Sequence, residues 1–287
     1  MAEEFTILID GRPAPARPGE TILTVLRRQE VETPTLCTHQ HLTPAKTCRA
    51  CVVELKGSRP LVASCERKVE PGMEVRTDSE RVQNARRGVF ELLLSQNDVS
   101  TAPGLVSQAE ALGADPDRYR GQRYDRGFFD DNKLYVRDFD KCILCYRCVE
   151  ACGPDVQNTF ALTVAGRGFT AGISAGFDET LVESACVFCG NCVEVCPTGA
   201  LMDRREHSMR EQGRWDESRQ DIVQTTCGYC GVGCQLDMHV DRERNEIVKV
   251  TSPDQHPITL GFLCVKGRYG YSFVEAEDEP AGAAKQV

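Results

Sequence analysis

The chain has 287 residues, 41% of them hydrophobic, a formal net charge of −9 and 16 cysteines. That composition is globular rather than disordered, and an acidic balance excludes the clustered basic surface that nucleic-acid binding needs. No apolar run approaches the roughly 20 residues of a membrane-spanning helix, and the acidic opening Met1-Ala2-Glu3-Glu4 is no secretory leader, so the expected location is cytoplasmic. Disulfides do not persist in that compartment, which leaves metal as the expected sink for so many thiols. The sixteen fall into four groups of four, with none left over.

In chain order, Phe5-Thr6-Ile7-Leu8-Ile9 alternates as a strand does and Asp10-Gly11 is a hairpin turn. Thr21 to Gln29 puts Ile22, Val25 and Leu26 on one side of a short amphipathic helix. Cys51-Val52-Val53-Glu54-Leu55 reads as the next strand, so residues 1–78 are expected to form a small β-grasp domain. Cys37, Cys48, Cys51 and Cys65 are spaced C-x10-C-x2-C-x13-C. This resembles the plant-type ferredoxin arrangement with its first gap widened and suits one [2Fe–2S] cluster; zinc is the alternative for the same thiols. Four thiolates complete the site, so His39 and His41 are expected to be loop residues, one of them donating a hydrogen bond near the cluster.

Ser79 is placed to cap a helix running to about Gln96, with Val82, Ala85, Val89, Leu92 and Leu93 at helical spacing. Residues 98–135 mix Gly, Pro, Asp and Arg, and 79–135 is expected to be a helix and linker. The next unit, 136–221, carries the most specific pattern. Cys142, Cys145, Cys148 and Cys152 are spaced C-x2-C-x2-C-x3-C, and Cys186, Cys189, Cys192 and Cys196 repeat the spacing. This is the bacterial ferredoxin run, in which three close cysteines and a fourth from the other run hold each [4Fe–4S] cube. The expected sets are therefore Cys142, Cys145, Cys148 with Cys196, and Cys186, Cys189, Cys192 with Cys152. Structural zinc prefers separated knuckles instead. The insertion Thr163 to Thr180 contains Gly166-Arg167-Gly168, but it lacks a third glycine and a βαβ setting, so no dinucleotide site is expected. The charged stretch 203–221 reads as a solvated helix.

Residues 222–272 hold the last group, Cys227, Cys230, Cys234 and Cys264, spaced C-x2-C-x3-C-x29-C with glycines between the first three. Small residues there let backbone amides approach cluster sulfurs, although a zinc ribbon has similar spacing. Residues 273–287 are low-complexity and expected to be disordered. The fold class expected is α+β: a multi-domain iron–sulfur protein with a β-grasp [2Fe–2S] domain, a two-[4Fe–4S] ferredoxin-like domain and a small [4Fe–4S] subdomain.

Cys37-x-His39-x-x-Leu42-x-Pro44 leading into Cys48-Arg49-x-Cys51 resembles the iron–sulfur region of the large complex I subunit, of NAD-dependent formate dehydrogenase alpha subunits and of the diaphorase small subunit of soluble hydrogenases. Lys141-Cys142-Ile143-Leu144-Cys145-x-Arg147-Cys148-Val149 matches their two-cubane module. Val156 to Leu162 and Gly166-Arg167-Gly168-Phe169 are most similar to the formate dehydrogenase branch. Cys227 to Cys234, with Gly261-x-x-Cys264-Val265-Lys266-Gly267-Arg268, resembles the opening [4Fe–4S] segment of molybdenum or tungsten bis-pterin formate dehydrogenases. The resemblance implies that Lys266 lies between that cubane and the pterin. It covers residues 1 to about 272. These families also carry a His-x3-Cys-x2-Cys-x5-Cys site after the β-grasp domain; Leu94 to Gly104 contains neither histidine nor cysteine, so that cluster is expected to be absent.

No nucleophile–base–orienter set and no phosphate loop is visible. The sequence stops at Val287, so the expectation is a stand-alone relay chain with no catalytic residue. It would carry one [2Fe–2S] and three [4Fe–4S] clusters, with a Mo/W-bis-pterin subunit and an FMN-bearing NAD(P)H subunit as partners. The alternatives are a diaphorase relay subunit of a hydrogenase or complex-I-like NADH dehydrogenase, and a zinc-binding scaffold.

Overall fold

The computed structural model describes residues 4–119, 121, 123–176 and 180–274. Most of the tail expected to be disordered, from 275 on, lies outside them.

Alternating apolar residues in Phe5–Ile9 (β1) and Arg12–Ala16 (β2) bury Ile7, Ile9, Ala14 and Ala16, and the Asp10-Gly11 turn joins them with both residues at positive φ. Thr21 caps Ile22–Arg28 (α1), whose Ile22, Val25 and Leu26 complete one core with Val53, Val69, Met73 and Val75. Val52–Leu55 (β3), Val62–Ala63 (β4) and Glu74–Arg76 (β5) finish a five-stranded sheet in the order β2-β1-β5-β3-β4, with β1 and β5 parallel. This is the β-grasp arrangement, and the loop from α1 to β3 carries Cys37, Cys48 and Cys51.

Glu80–Gln96 (α2) starts where Ser79 Oγ accepts from the Val82 amide. Ser79→Ala is expected to cost about 1 kcal/mol, read from chemical denaturation at unchanged m-value. The buried face of α2 differs from the apolar spacing. Val82, Arg86, Phe90 and Glu91 are inside and Leu92 is exposed. Arg86 is enclosed because its guanidinium donates twice to the Val52 carbonyl, at 3.2 and 3.0 Å, which satisfies it without water. The stretch 98–135, read as a helical remnant plus linker, contains Pro103–Ala111 (α3), whose Leu105 and Ala109 pack with Phe90, Leu36 and Ala50.

Phe128–Phe129 (β6), Tyr135–Asp138 (β7) and Leu201–Asp203 (β10) form an antiparallel sheet in the order β10-β7-β6 that brackets the ferredoxin runs. Between β7 and β10 lie Arg147–Cys152 (α4), the hairpin Thr163–Ala165 (β8) with Gly172–Ser174 (β9), and Asn191–Glu194 (α5). The boundary expected at 135/136 thus falls inside β7. Arg204–Glu211 (α6) follows, and then Gln220–Thr226 (β11), Gln235–Asp241 (β12) and Glu246–Thr251 (β13) make an antiparallel sheet that begins just before the boundary expected at 222. The helix α6 is not the solvated helix expected. Glu206 and Met209 are buried, and Glu206 pairs with Lys249 of β13 at 2.9 Å and with Arg210 at 2.8 Å. The chain closes with Val265–Tyr269 (α7). Among the described residues no helix is long and apolar enough to cross a membrane.

Candidate metal centres

The two ferredoxin runs fold by the same device. Leu144 and Tyr146 in the first, and Phe188 and Gly190 in the second, occupy the same positions relative to Cys142 and Cys186, and all four have positive φ. A left-handed residue at every second position curls the backbone so that its amides face the thiols. The Phe188 amide donates to Cys186 Sγ at 3.4 Å, while the Leu144, Arg147 and Asn191 amides serve Cys142, Cys145 and Cys189. The helix α4 carries Cys148 and Cys152, and α5 carries Cys192 with Cys196 two residues past its end, into one shared core containing Cys142, Cys148 and Cys192, with Cys152, Cys186 and Cys196 against it.

Electrostatics show which thiols are neighbours. Burial pushes the Cys142 thiol up to about 11 and Cys145 up to about 12, and Cys196 adds to both rises. Cys148, fully enclosed, is raised by burial and then by Cys145, Cys142 and Cys196. For Cys192 burial is followed by Cys189, Cys186 and Cys152, and Cys186 and Cys152 also raise Cys189. Cys196 therefore acts on all three leading thiols of the first run and Cys152 on Cys189 and Cys192 of the second, while Cys196 also acts on Cys192 across the shared core. Protein hydroxyls reach the rims: Tyr135 Oη lies 3.3 Å from Cys186 Sγ and Thr159 Oγ1 3.4 Å from Cys152 Sγ.

In the β-grasp loop Lys46 and Arg49 take positive φ and bend the chain around Cys37 and Cys48. The Cys48 thiol donates to Cys37, and the amides of Cys48, Thr47 and Lys46 add to it, holding Cys37 below the ordinary thiol range despite burial while Cys48 is pushed up. Cys65 does the same for Cys51, which is lowered while Cys65 is raised. The buried hydroxyls of Thr38 and Ser64, each next in sequence to a cysteine of this set, serve Cys65 and Cys51 and favour their thiolates. Hydroxyl donors directed at thiolates suit a cluster held by those sulfurs.

His39 and His41 are loop residues, as expected, but their hydrogen bonds go elsewhere than the cluster. Their rings pack against Phe262, and His41 Nε2 meets the Asp254 carbonyl at 2.8 Å, so both face the last unit.

The fourth set is the least enclosed. Cys227 is buried and Cys234 half-buried, while Cys230 and Cys264 are exposed, and Cys227 N donates to the Cys234 carbonyl at 2.7 Å. Cys234 is raised by burial and then by Cys227, Cys264 and Cys230, so all four are neighbours. Lys266 is exposed on α7, two residues from Cys264. Among the described residues, no group of three or more His, Cys, Asp or Glu side chains is arranged to hold a single metal ion.

Residues that spacing did not single out join the last unit to the ferredoxin core. Arg268, 1% exposed, donates to Glu194 at 2.5 Å, Asn191 at 3.2 Å and the Cys189 carbonyl at 3.1 Å. Tyr269 Oη donates to Asp203 at 2.8 Å. A Cβ at Gly190 would collide with the Tyr269 hydroxyl and the Arg268 side chain, so glycine is required there for space as well as for its φ of 73°. The only sequence signal was Gly267-Arg268 following the last cysteine.

Three family profiles match in chain order: a 2Fe-2S iron-sulfur cluster binding domain over residues 2–80, a 4Fe-4S dicluster domain over 141–200 and a molybdopterin oxidoreductase Fe4S4 domain over 220–276. An NADH-quinone oxidoreductase subunit of Rhizobium meliloti is 32% identical over 284 residues, covering 95% of this chain and 32% of that protein. The NADP-reducing hydrogenase subunit HndD of Solidesulfovibrio fructosivorans is 40% identical over 212 residues, 69% of this chain and 36% of that protein. The chain thus spans about a third of the length of these relatives. The crystal structure of an NAD+-reducing [NiFe]-hydrogenase in the H2-reduced state superposes with a TM-score of 0.63 at 28% identity, covering 70% of this chain and 87% of that one. The chain belongs to the multi-domain iron–sulfur proteins that join a 2Fe-2S cluster binding domain, a 4Fe-4S dicluster domain and a molybdopterin oxidoreductase Fe4S4 domain.

Proposed function

We propose that this chain is the electron-relay part of an NAD(P)-linked oxidoreductase complex and that it works between a Mo/W-bis-pterin site oxidising formate and a flavin site exchanging electrons with NAD(P)H, both outside these 287 residues. The observation that carries the reading is that the 2Fe-2S, 4Fe-4S dicluster and molybdopterin oxidoreductase Fe4S4 profiles match in chain order and between them span all sixteen cysteines. Cys37, Cys48, Cys51 and Cys65 hold a [2Fe–2S] cluster in this reading, and the other three sets hold [4Fe–4S] clusters. When bound, such clusters supply one-electron carriers whose potentials answer to hydrogen bonds and burial.

The residues of the chain supply the rest. The curled loops offer amides to the thiolates, and in the second and third sets, where burial raises the thiols, a bound metal would favour the thiolate form. The second and third sets are the more enclosed, with Cys142, Cys145, Cys148 and Cys192 buried and Cys152, Cys186, Cys189 and Cys196 half-buried. The exposed Cys230 and Cys264, with Lys266 beside them, leave the fourth set open to a neighbouring protein surface. That exposure favours the fourth set as the contact point with the pterin region. The formate assignment draws its support from the likeness of residues 156–169 and 227–268 to that branch.

Anaerobically purified protein is expected to contain about 14 irons per chain and, after dithionite, signals of both cluster types in electron paramagnetic resonance. Zinc in place of iron, with no such signals, overturns the relay reading. For the formate step, the complex isolated with its pterin-bearing region should show these clusters reduced on adding formate. Clusters that stay oxidised with formate, yet respond to NAD(P)H, assign the pterin site another substrate.

A further inference from the structure

The loop carrying Cys37 and Cys48 and the loop carrying Cys142 and Cys145 are pinned together at two points. Arg147 Nη2 donates to the Thr38 carbonyl at 2.6 Å, and the Thr47 hydroxyl donates to the Leu144 carbonyl at 3.3 Å. Thr38 and Thr47 each adjoin a cysteine of the first set, and Leu144 adjoins Cys145. Ile143 extends the contact by packing on the core that includes Leu36, Ala50 and Cys48. The Arg147 Nε is buried and has no hydrogen-bond partner among the described residues. The guanidinium thus sits between the two sets: its donor meets the residue after Cys37, and its own backbone adjoins Cys148 and lies two residues from Cys145. The Thr38 carbonyl is neutral, so this hydrogen bond leaves the charge uncompensated.

We infer that Arg147 is a positioning charge shared by two centres: it clamps the [2Fe–2S] loop onto the Cys142, Cys145, Cys148 and Cys196 cubane and raises the reduction potential of both, making the two partners in electron exchange. The inference rests on the cluster reading above and adds to it an order of centres and a residue that sets their potentials. Reducing either centre adds one electron and no proton, hence one negative charge. A fixed positive charge near both, in a poorly solvated place, stabilises each reduced form. A guanidinium serves better than an ammonium because it can hold the carbonyl with one nitrogen and leave another N–H for a sulfur.

The test is a potentiometric titration of the whole reconstituted protein, followed by electron paramagnetic resonance. In Arg147→Gln the reduced-to-oxidised ratio of both centres should fall about tenfold at a fixed potential, about 59 mV for a one-electron couple, with the third and fourth centres unmoved. Arg147→Lys should restore most of the shift, and Thr47→Val, which removes a link but no charge, should leave both potentials at the wild-type value. Unchanged potentials in Arg147→Gln, with all clusters present, overturn the inference. Should that variant lose a cluster, the wild-type protein decides: the [2Fe–2S] signal should relax faster once the adjoining cubane is reduced, and indifference to it overturns the pairing. A wild-type protein with no [2Fe–2S] signal at all removes the cluster reading itself, a separate outcome.

Discussion

Cys152→Ala is expected to cost the cubane of Cys186, Cys189 and Cys192, not the cubane of its own run. A single replacement cannot show which cube was lost, but pairs can, because residues of one unit are non-additive and independent ones add. Cys152→Ala with Cys186→Ala should lose no more iron than either alone, about four of about 14 atoms. Cys152→Ala with Cys142→Ala should lose about eight. The warrant is the set of neighbours: Cys152 raises Cys189 and Cys192, whereas Cys142, Cys145 and Cys148 all answer to Cys196. The opposite pattern, with Cys152 and Cys142 behaving as one unit, would mean that each run closes on itself.

Arg268→Ala is expected to be among the most destabilising single changes. Its partner Glu194 is 19% exposed and Arg268 itself 1%, so solvent screens the pair little. Deleting one member of a buried pair leaves the other uncompensated, at a cost of about 3–5 kcal/mol. Asn191 and the carbonyls of Cys189 and Val250 lose a donor as well. The damage should be local. Amides of β12, β13 and α7 should exchange about a hundredfold faster or more, at about 1.4 kcal/mol per factor of ten, while those of β1 and β5 keep their protection. Arg268→Lys should fall between, since an ammonium keeps the charge but cannot reach all these acceptors at once. Exchange in β12 and β13 equal to wild type would show that the network does not hold the last unit in place.

Cysteine spacing carried most of the site into view because ligands of a compact cluster must recur within a few residues along one wrapping loop. Local elements were legible for a similar reason. The alternation in Phe5–Ile9, the Asp10-Gly11 turn and the caps Thr21 and Ser79 are each specified within one or two turns of chain. Apolar spacing misjudged α2, where the hydrogen bonds of Arg86 to the Val52 carbonyl offset part of the cost of burying a guanidinium. Crowded charges misled at α6, where Glu206 is inside because Lys249, more than forty residues later in the chain, comes to meet it. Neither charge could be placed without its distant partner.

By itself the sequence divided sixteen thiols into four spaced groups, implied the exchange of Cys152 and Cys196 between two of them, and marked the strands and helix that open the chain, because all of these are patterns of short spacing. Tertiary structure alone decided how the units stand to one another: the seating of the first loop on Arg147, the clamp of Arg268 on Glu194, and the exposure of Cys230 and Cys264. Those are matters of through-space charge and of which surfaces meet, and a charged side chain finds its partner only once the backbone has brought distant segments together.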